Sequence, residues 1–183
     1  MVFPKRYAEA AARLRVPAGF AVSALFLLLA RPSWNTLALG GAIGLLGLAL
    51  RAWAAGHLAK NERLVTSGPF AYLRNPLYMG TLIVGVGCAI AGAHLGIGTL
   101  LVAFFVLFYL PVVEEEEAHL RTLFPEYAVY EASVPKFRPR LSAAFSSGLR
   151  FSMTLYKKNE EYQALAAFLL VMGLLAAKLT LFR

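Results

Sequence analysis

Apolar residues run in long blocks along this chain, and polar residues are confined between them. A helix needs about 20 apolar residues to cross a bilayer. The first block, residues 16–30, is shorter, but Arg15 and Arg31 flank it and can snorkel, and Pro17 suits a helix first turn. The second, residues 33–50, continues past Arg51 to Ala55 and contains Gly40, Gly44 and Gly47. Gly40 and Gly44 form a small-xxx-small spacing that lets helices approach closely. The Arg31-Pro32 break between these blocks predicts a helical hairpin. No residue between Asn75 and Val113 is formally charged. That stretch is too long for one crossing, so it turns at Gly92, His94, Gly96 and Gly98. It yields a third helix near residues 77–91 and a fourth near 97–113. A fifth covers residues 162–177. The pattern predicts an all-α integral membrane protein with about five transmembrane helices, cytoplasmic amphipathic helices and no Rossmann domain.

Composition supports this class. Of 183 residues, 59% are hydrophobic and 15% charged, with mean hydropathy +0.63. So much apolar surface does not fit one small water-soluble core. The length predicts one domain, residues 1–183. Within it we distinguish an N-terminal hairpin (1–61), a core (62–139), and an interfacial helix with the last span (140–183).

Charge gives an orientation. Net charge is +8, and all ten acids are Glu. Fifteen of the eighteen Lys and Arg fall on one side of the predicted spans; Arg31, Lys178 and Arg183 fall on the other. The positive-inside rule puts the fifteen, and the N-terminus, in the cytoplasm of an inner membrane. Lys5, Arg6, Arg13 and Arg15 precede an apolar stretch without a clear cleavage pattern, so it reads as a span. The cations between apolar runs favour a lipid bilayer as partner over nucleic acid. Cys88 is the single cysteine, and His57, His94 and His119 lack metal spacing, so no metal is expected.

The basic segments hold the polar candidates. In the first, Ser67-Gly68-Pro69 marks a turn, and Pro76 can open the third helix. Arg74, Asn75, Tyr78 and Gly80 surround that helix start, which attracts anions. A snorkelling Arg before a Pro start explains the same residues equally well. In the second, Glu114–Glu117 follow directly on an apolar run. In a helix these four fan around the axis, so at least one turns back toward the bundle. A carboxylate at a membrane boundary is costly unless paired, and Arg74 or a ligand cation is the obvious partner. The segment 114–131 reads as a helix that Pro125 ends or kinks, and residues 134–139 as extended. Phe145, Leu149 and Met153, four apart beside Arg150 and Lys157, predict an interfacial helix.

Two stretches carry a resemblance. Leu64-Val-Thr-Ser-Gly-Pro-Phe70 with Arg74-Asn-Pro-Leu-Tyr-Met-Gly80 precedes Glu114–Glu117, Phe124-Pro-Glu-Tyr127, Tyr130 and Val134-Pro-Lys-Phe-Arg-Pro139. In order and spacing they resemble the isoprenylcysteine carboxyl methyltransferases and their phospholipid methyltransferase relatives. The resemblance covers roughly residues 62–139. It implies an S-adenosylmethionine-dependent methyltransferase acting on a lipophilic or small acceptor (carboxylate, thiol or amine) at the cytoplasmic face. Cofactor contacts would fall on Glu62, Arg63, Leu64, Val65, Phe70, Asn75, Pro76, Leu77, Tyr78 and one central glutamate, Glu116. Arg74 and Glu116 would act at the reacting groups. Three positions depart from the family: Asn75 replaces His, Phe70 replaces Tyr, and Val112 stands where prenylcysteine enzymes carry Arg. Two other readings remain: an NADPH-dependent sterol-reductase-like membrane enzyme, and a non-catalytic membrane scaffold.

Overall fold

The computed structural model describes residues 3–145 and 149–181. These form an all-helical bundle without β-strands among the described residues, and without a Rossmann fold. The helices are α1 (Lys5–Leu29), α2 (Trp34–Ala55), α3 (Pro76–Gly92), α4 (Leu95–Phe104), α5 (Leu110–Leu123), α6 (Tyr127–Ser133), α7 (Met153–Lys158) and α8 (Tyr162–Leu181). A π turn, Phe105–Tyr109, joins α4 to α5 into one apolar run, Leu95–Leu123. That run, α1, α2 and α8 are long and apolar enough to cross a membrane; α3 is a shorter apolar helix of 17 residues.

Local chemistry sets the helix ends. Ser33 Oγ accepts from Thr36 N, and Ser33 N donates to Thr36 Oγ1, a reciprocal cap on α2. Pro76 occupies the first turn of α3, where its missing N–H costs nothing. At the far end Ala93 takes a left-handed conformation (φ 47°) and terminates α3. Lys178 Nζ donates to Leu27 O and Leu28 O at 2.9 Å, satisfying the last carbonyls of α1. Asn159 Nδ2 does the same for Ala55 O and Leu58 O after α2.

The closest packing is between α2 and α3. A Cβ on Gly87 would stand 2.6 Å from Gly40 O, and one on Gly47 2.6 Å from Gly80 O. Only glycine lets the two backbones touch there. At the Lys/Arg-rich end of the bundle, Arg51 of α2 pairs with buried Glu161 before α8, and donates to Thr81 Oγ1 of α3. Three helices meet at that guanidinium.

The five apolar segments match the sequence pattern, with α1 starting earlier than expected. One expected element differs. Phe145 and Leu149 lie outside any helix, and the interfacial helix is only Met153–Lys158. Ser152 Oγ caps Leu155 N and so starts the helix late. Phe145 instead joins a buried cluster of Tyr127, Tyr130 and Val134. Arg183, counted on the far side, lies outside the described residues.

Candidate active site at the basic end

The chain between α2 and α3 folds into a 3₁₀ turn, Gly68–Ala71, followed by Tyr72–Asn75. The non-helical segment after α6 clasps it. Arg74 N donates to Pro135 O (3.0 Å), Arg140 N to Tyr72 O (3.1 Å) and Ala144 N to Ala71 O (2.9 Å). Tyr130 Oη donates to Phe70 O at 2.9 Å. These bonds bring residues 70–75 to the end of α5.

One carboxylate of the glutamate run turns inward, and it is Glu117, at 2% exposure. Asn75 Nδ2 donates to its Oε1 at 2.8 Å. Lys136 Nζ stands 3.0 Å from its Oε2, Arg74 Nη1 3.7 Å from Oε1, and Arg121 Nη2 3.9 Å from Oε2. Glu131 lies beside it, bound by Arg74 Nη1 at 2.7 Å and by Arg121 at 2.6 and 2.8 Å. Three cations thus face two carboxylates, which leaves one positive charge over. Arg74 Nε is buried and has no hydrogen-bond partner among the described residues.

Electrostatics follow from this packing. Glu131 is held down to about 2, chiefly by the Arg121 hydrogen bond, with Arg74 adding to it. Arg74 itself is raised: burial opposes its charge, but Glu131 and Glu117 outweigh that. Burial, reinforced by the negative charge of Glu117, pushes the Tyr127 hydroxyl up to about 12, and burial raises Tyr130 as well. Both phenols are neutral at physiological pH and wall the cluster from water.

The sequence-derived candidates divide. Arg74 and Asn75 enter the cluster directly. Val65, Phe70 and Leu77 pack together behind it with Ala54, and Leu64 rests against the Tyr127–Tyr130 group. Pro76 is buried at the helix start. Glu62 and Arg63 are exposed; Glu62 pairs with Lys158 at 2.6 Å, and that hydrogen bond lowers its pKa. Glu116 is exposed and stays out of the cluster. It lies beside the Tyr78 hydroxyl, which Arg15 also approaches. Tyr78 packs edge-on to Tyr109, centroids 5.9 Å apart. The inward carboxylate is therefore one residue later than the one singled out above. Glu131 and Lys136 were not anticipated. Tyr127 and Tyr130 already marked that short helix as buried, and Glu131 follows Tyr127 by one helical turn, the one available signal.

Behind Phe70, buried His57 Nδ1 lies 3.0 Å from Ser67 Oγ. Burial, and then the nearby Arg63 charge, lower the His57 pKa. Its ring packs on Gly68, whose φ of +56° and lack of a side chain accommodate it. The pair fixes the turn that carries Phe70.

A family model for phospholipid methyltransferases matches residues 44–127 of this chain. The match runs from α2 to the start of α6 and includes Arg74, Asn75 and Glu117. It bears out the resemblance carried by the two motifs, and the family is one of methyltransferases. Among individual proteins, the chain is 38% identical over 106 residues to the cobalt-zinc-cadmium resistance protein CzcN of Cupriavidus metallidurans, covering 55% of this chain and 49% of that one. It is 33% identical over 106 residues to the nickel-cobalt-cadmium resistance protein NccN of Alcaligenes xylosoxydans xylosoxydans, covering 55% and 50%. The chain thus spans about half the length of the curated relatives it matches. No solved structure matches.

Proposed function

We propose that the chain is one membrane-embedded, S-adenosylmethionine-dependent methyltransferase unit, oriented with its basic end and N-terminus in the cytoplasm, that methylates a lipophilic or small acceptor at that face. The observation that carries this is the convergence of the Arg74–Asn75 turn and Glu117 in one buried, net-positive cluster.

The residues present fit the cofactor's amino-acid part. Glu117 Oε2 already holds an ammonium, that of Lys136, and would hold the cofactor's in its place. Arg74 Nε is a buried donor without an acceptor among the described residues, which suits a carboxylate. Asn75 orients Glu117 through its amide, the role a ring N–H would otherwise serve. When bound, the cofactor supplies an already activated methyl group. The chain's own part is then to position the partners and exclude water. Tyr127, Tyr130 and Phe70, all buried, serve exclusion. Val112, 5% exposed, supports an acceptor other than a prenylcysteine carboxylate, because no Arg stands there to receive it.

Calorimetry on the full chain in detergent tests the reading. S-adenosylmethionine is expected to bind, and Glu117→Gln and Arg74→Ala to weaken binding at least tenfold while Glu116→Gln changes it little. A thermal upshift with NADPH alone would favour a reductase. A folded protein that responds to neither cofactor would leave the scaffold reading.

A further inference from the structure

The basic-end cluster does not account for a sizeable hollow elsewhere in the molecule. Between α1, α3 and α4 lies a cavity of ≈ 830 Å³, a size in the upper part of the ligand-pocket range. Its existence follows from two classes of glycine. Those of α2 and α3 that face each other are filled by the opposing backbone. Gly85, by contrast, has nothing within 4 Å of where a Cβ would be, and Gly98 meets only Ala89 Cβ at 3.9 Å. Both line the cavity, as does Gly19 of α1. α1 packs along α5 and the π turn but touches α3 and α4 sparsely, so the space stays open. On α3 the lining runs from Thr81 to Ile90, about 14 Å of helix at ~1.5 Å per residue.

The walls are mostly apolar, and the polar groups sit at the ends. At the basic end the one formally charged lining residue is Arg15. Its guanidinium lies over the Tyr109 ring, 5.7 Å from the centroid, and makes no ion pair among the described residues. At the other end is His94, whose Nδ1 is buried without a hydrogen-bond partner among the described residues. Glu116 reaches the same Tyr78 hydroxyl but makes no direct ion pair with Arg15, so the guanidinium at the mouth of this apolar slot is open to an anionic occupant.

We propose that this cavity binds the hydrocarbon tail of an amphiphile whose anionic head pairs with Arg15. The site is separate from the Arg74–Glu117 cluster, and the inference stands or falls independently of methyl transfer. Glu116 shares the Tyr78 hydroxyl with Arg15, so the head-group sign is itself part of the test.

The test uses the full chain in phosphatidylcholine nanodiscs with cis-parinaric acid, a fluorescent single-chain carboxylate, as probe. Saturable binding is expected, weakened at least tenfold by Arg15→Gln and abolished by Gly85→Leu, which fills the cavity from a position with room for a side chain. The probe's methyl ester, lacking the charge, should bind wild type and Arg15→Gln equally. Displacement by phosphatidylglycerol built into the disc would identify a bilayer phospholipid as occupant; no displacement would identify a single-chain amphiphile. Binding unchanged in a folded Gly85→Leu variant, or a dodecylammonium competitor as effective as dodecanoate, would overturn the proposal.

Discussion

Lys136 Nζ and Glu117 Oε2 stand 3.0 Å apart, so the inward carboxylate of the glutamate run is met by a lysine from the far side of the α6 clasp. Lys136 is one-third exposed, Glu117 almost fully buried. The lysine can swing out; the glutamate cannot. Any ligand ammonium that uses Glu117 must displace it. Lys136→Met is therefore expected to raise S-adenosylmethionine affinity about threefold or more and to lower the melting temperature slightly. Calorimetry and a thermal scan on one preparation measure both; a loss of affinity would mean that Lys136 itself holds the ligand.

Glu131 supplies a pH signature. Its folded-state pKa is depressed to about 2 from an ordinary 4.5. A depressed carboxylate contributes stability that is full above its unfolded value and is lost as pH falls through the folded one. The melting temperature should fall by a few degrees between pH 5 and pH 2 on this account. Glu131→Gln should start lower at pH 7 and show a shallower fall over that window.

The Arg51–Glu161 pair should matter more than surface pairs. Glu161 is buried, and its two oxygens take both Nε and Nη2 of Arg51. Removing one partner of a buried pair strands the other charge, at a cost of about 3–5 kcal/mol. Glu161→Ala is expected to show a loss of that order in denaturant titrations of the detergent-solubilised chain. Breaking the exposed pair Glu62–Lys158 should change stability far less, because water screens it.

Two glycines of α3, two residues apart, should behave oppositely. Gly87→Ala forces a methyl against Gly40 O and the Gly44 backbone, so α2 and α3 must separate. A loss of about 1–3 kcal/mol is expected from such overpacking. Gly85→Ala meets open space and gains helix propensity, so it should be neutral or stabilising. Parallel unfolding curves compare them directly; equal losses would contradict the packing described.

The spans were legible because long apolar blocks admit few other structures. The clasp was partly legible: Pro125 announced the break after α5, and residues 134–139 are non-helical as expected, but beyond the extended Val134 they bend at 136–138 rather than run straight. The placement of Phe145 was not, since its helical spacing to Leu149 and Met153 competes with a buried aromatic site contributed by α6. Nor was the choice among Glu114–Glu117. Four identical side chains carry no periodicity of their own, and which one turns inward is set by elements distant in sequence: Asn75, Arg74 and Lys136. The Asn75–Glu117 bond spans 42 residues, and no local pattern encodes it.

The five-residue π turn at Phe105–Tyr109 also shifts the phase of this helix upstream of the glutamates. A π turn absorbs one residue more than an α turn, so every side chain beyond Tyr109 is rotated about 100° from an unbroken helix. Glu117 thus takes the angular position that residue 116 would otherwise hold relative to α4. Converting this turn to α geometry without changing its length would work like a frameshift written in space: the composition of the helix would not change at all, yet a different glutamate would be dealt to the interior and its neighbour sent to the rim.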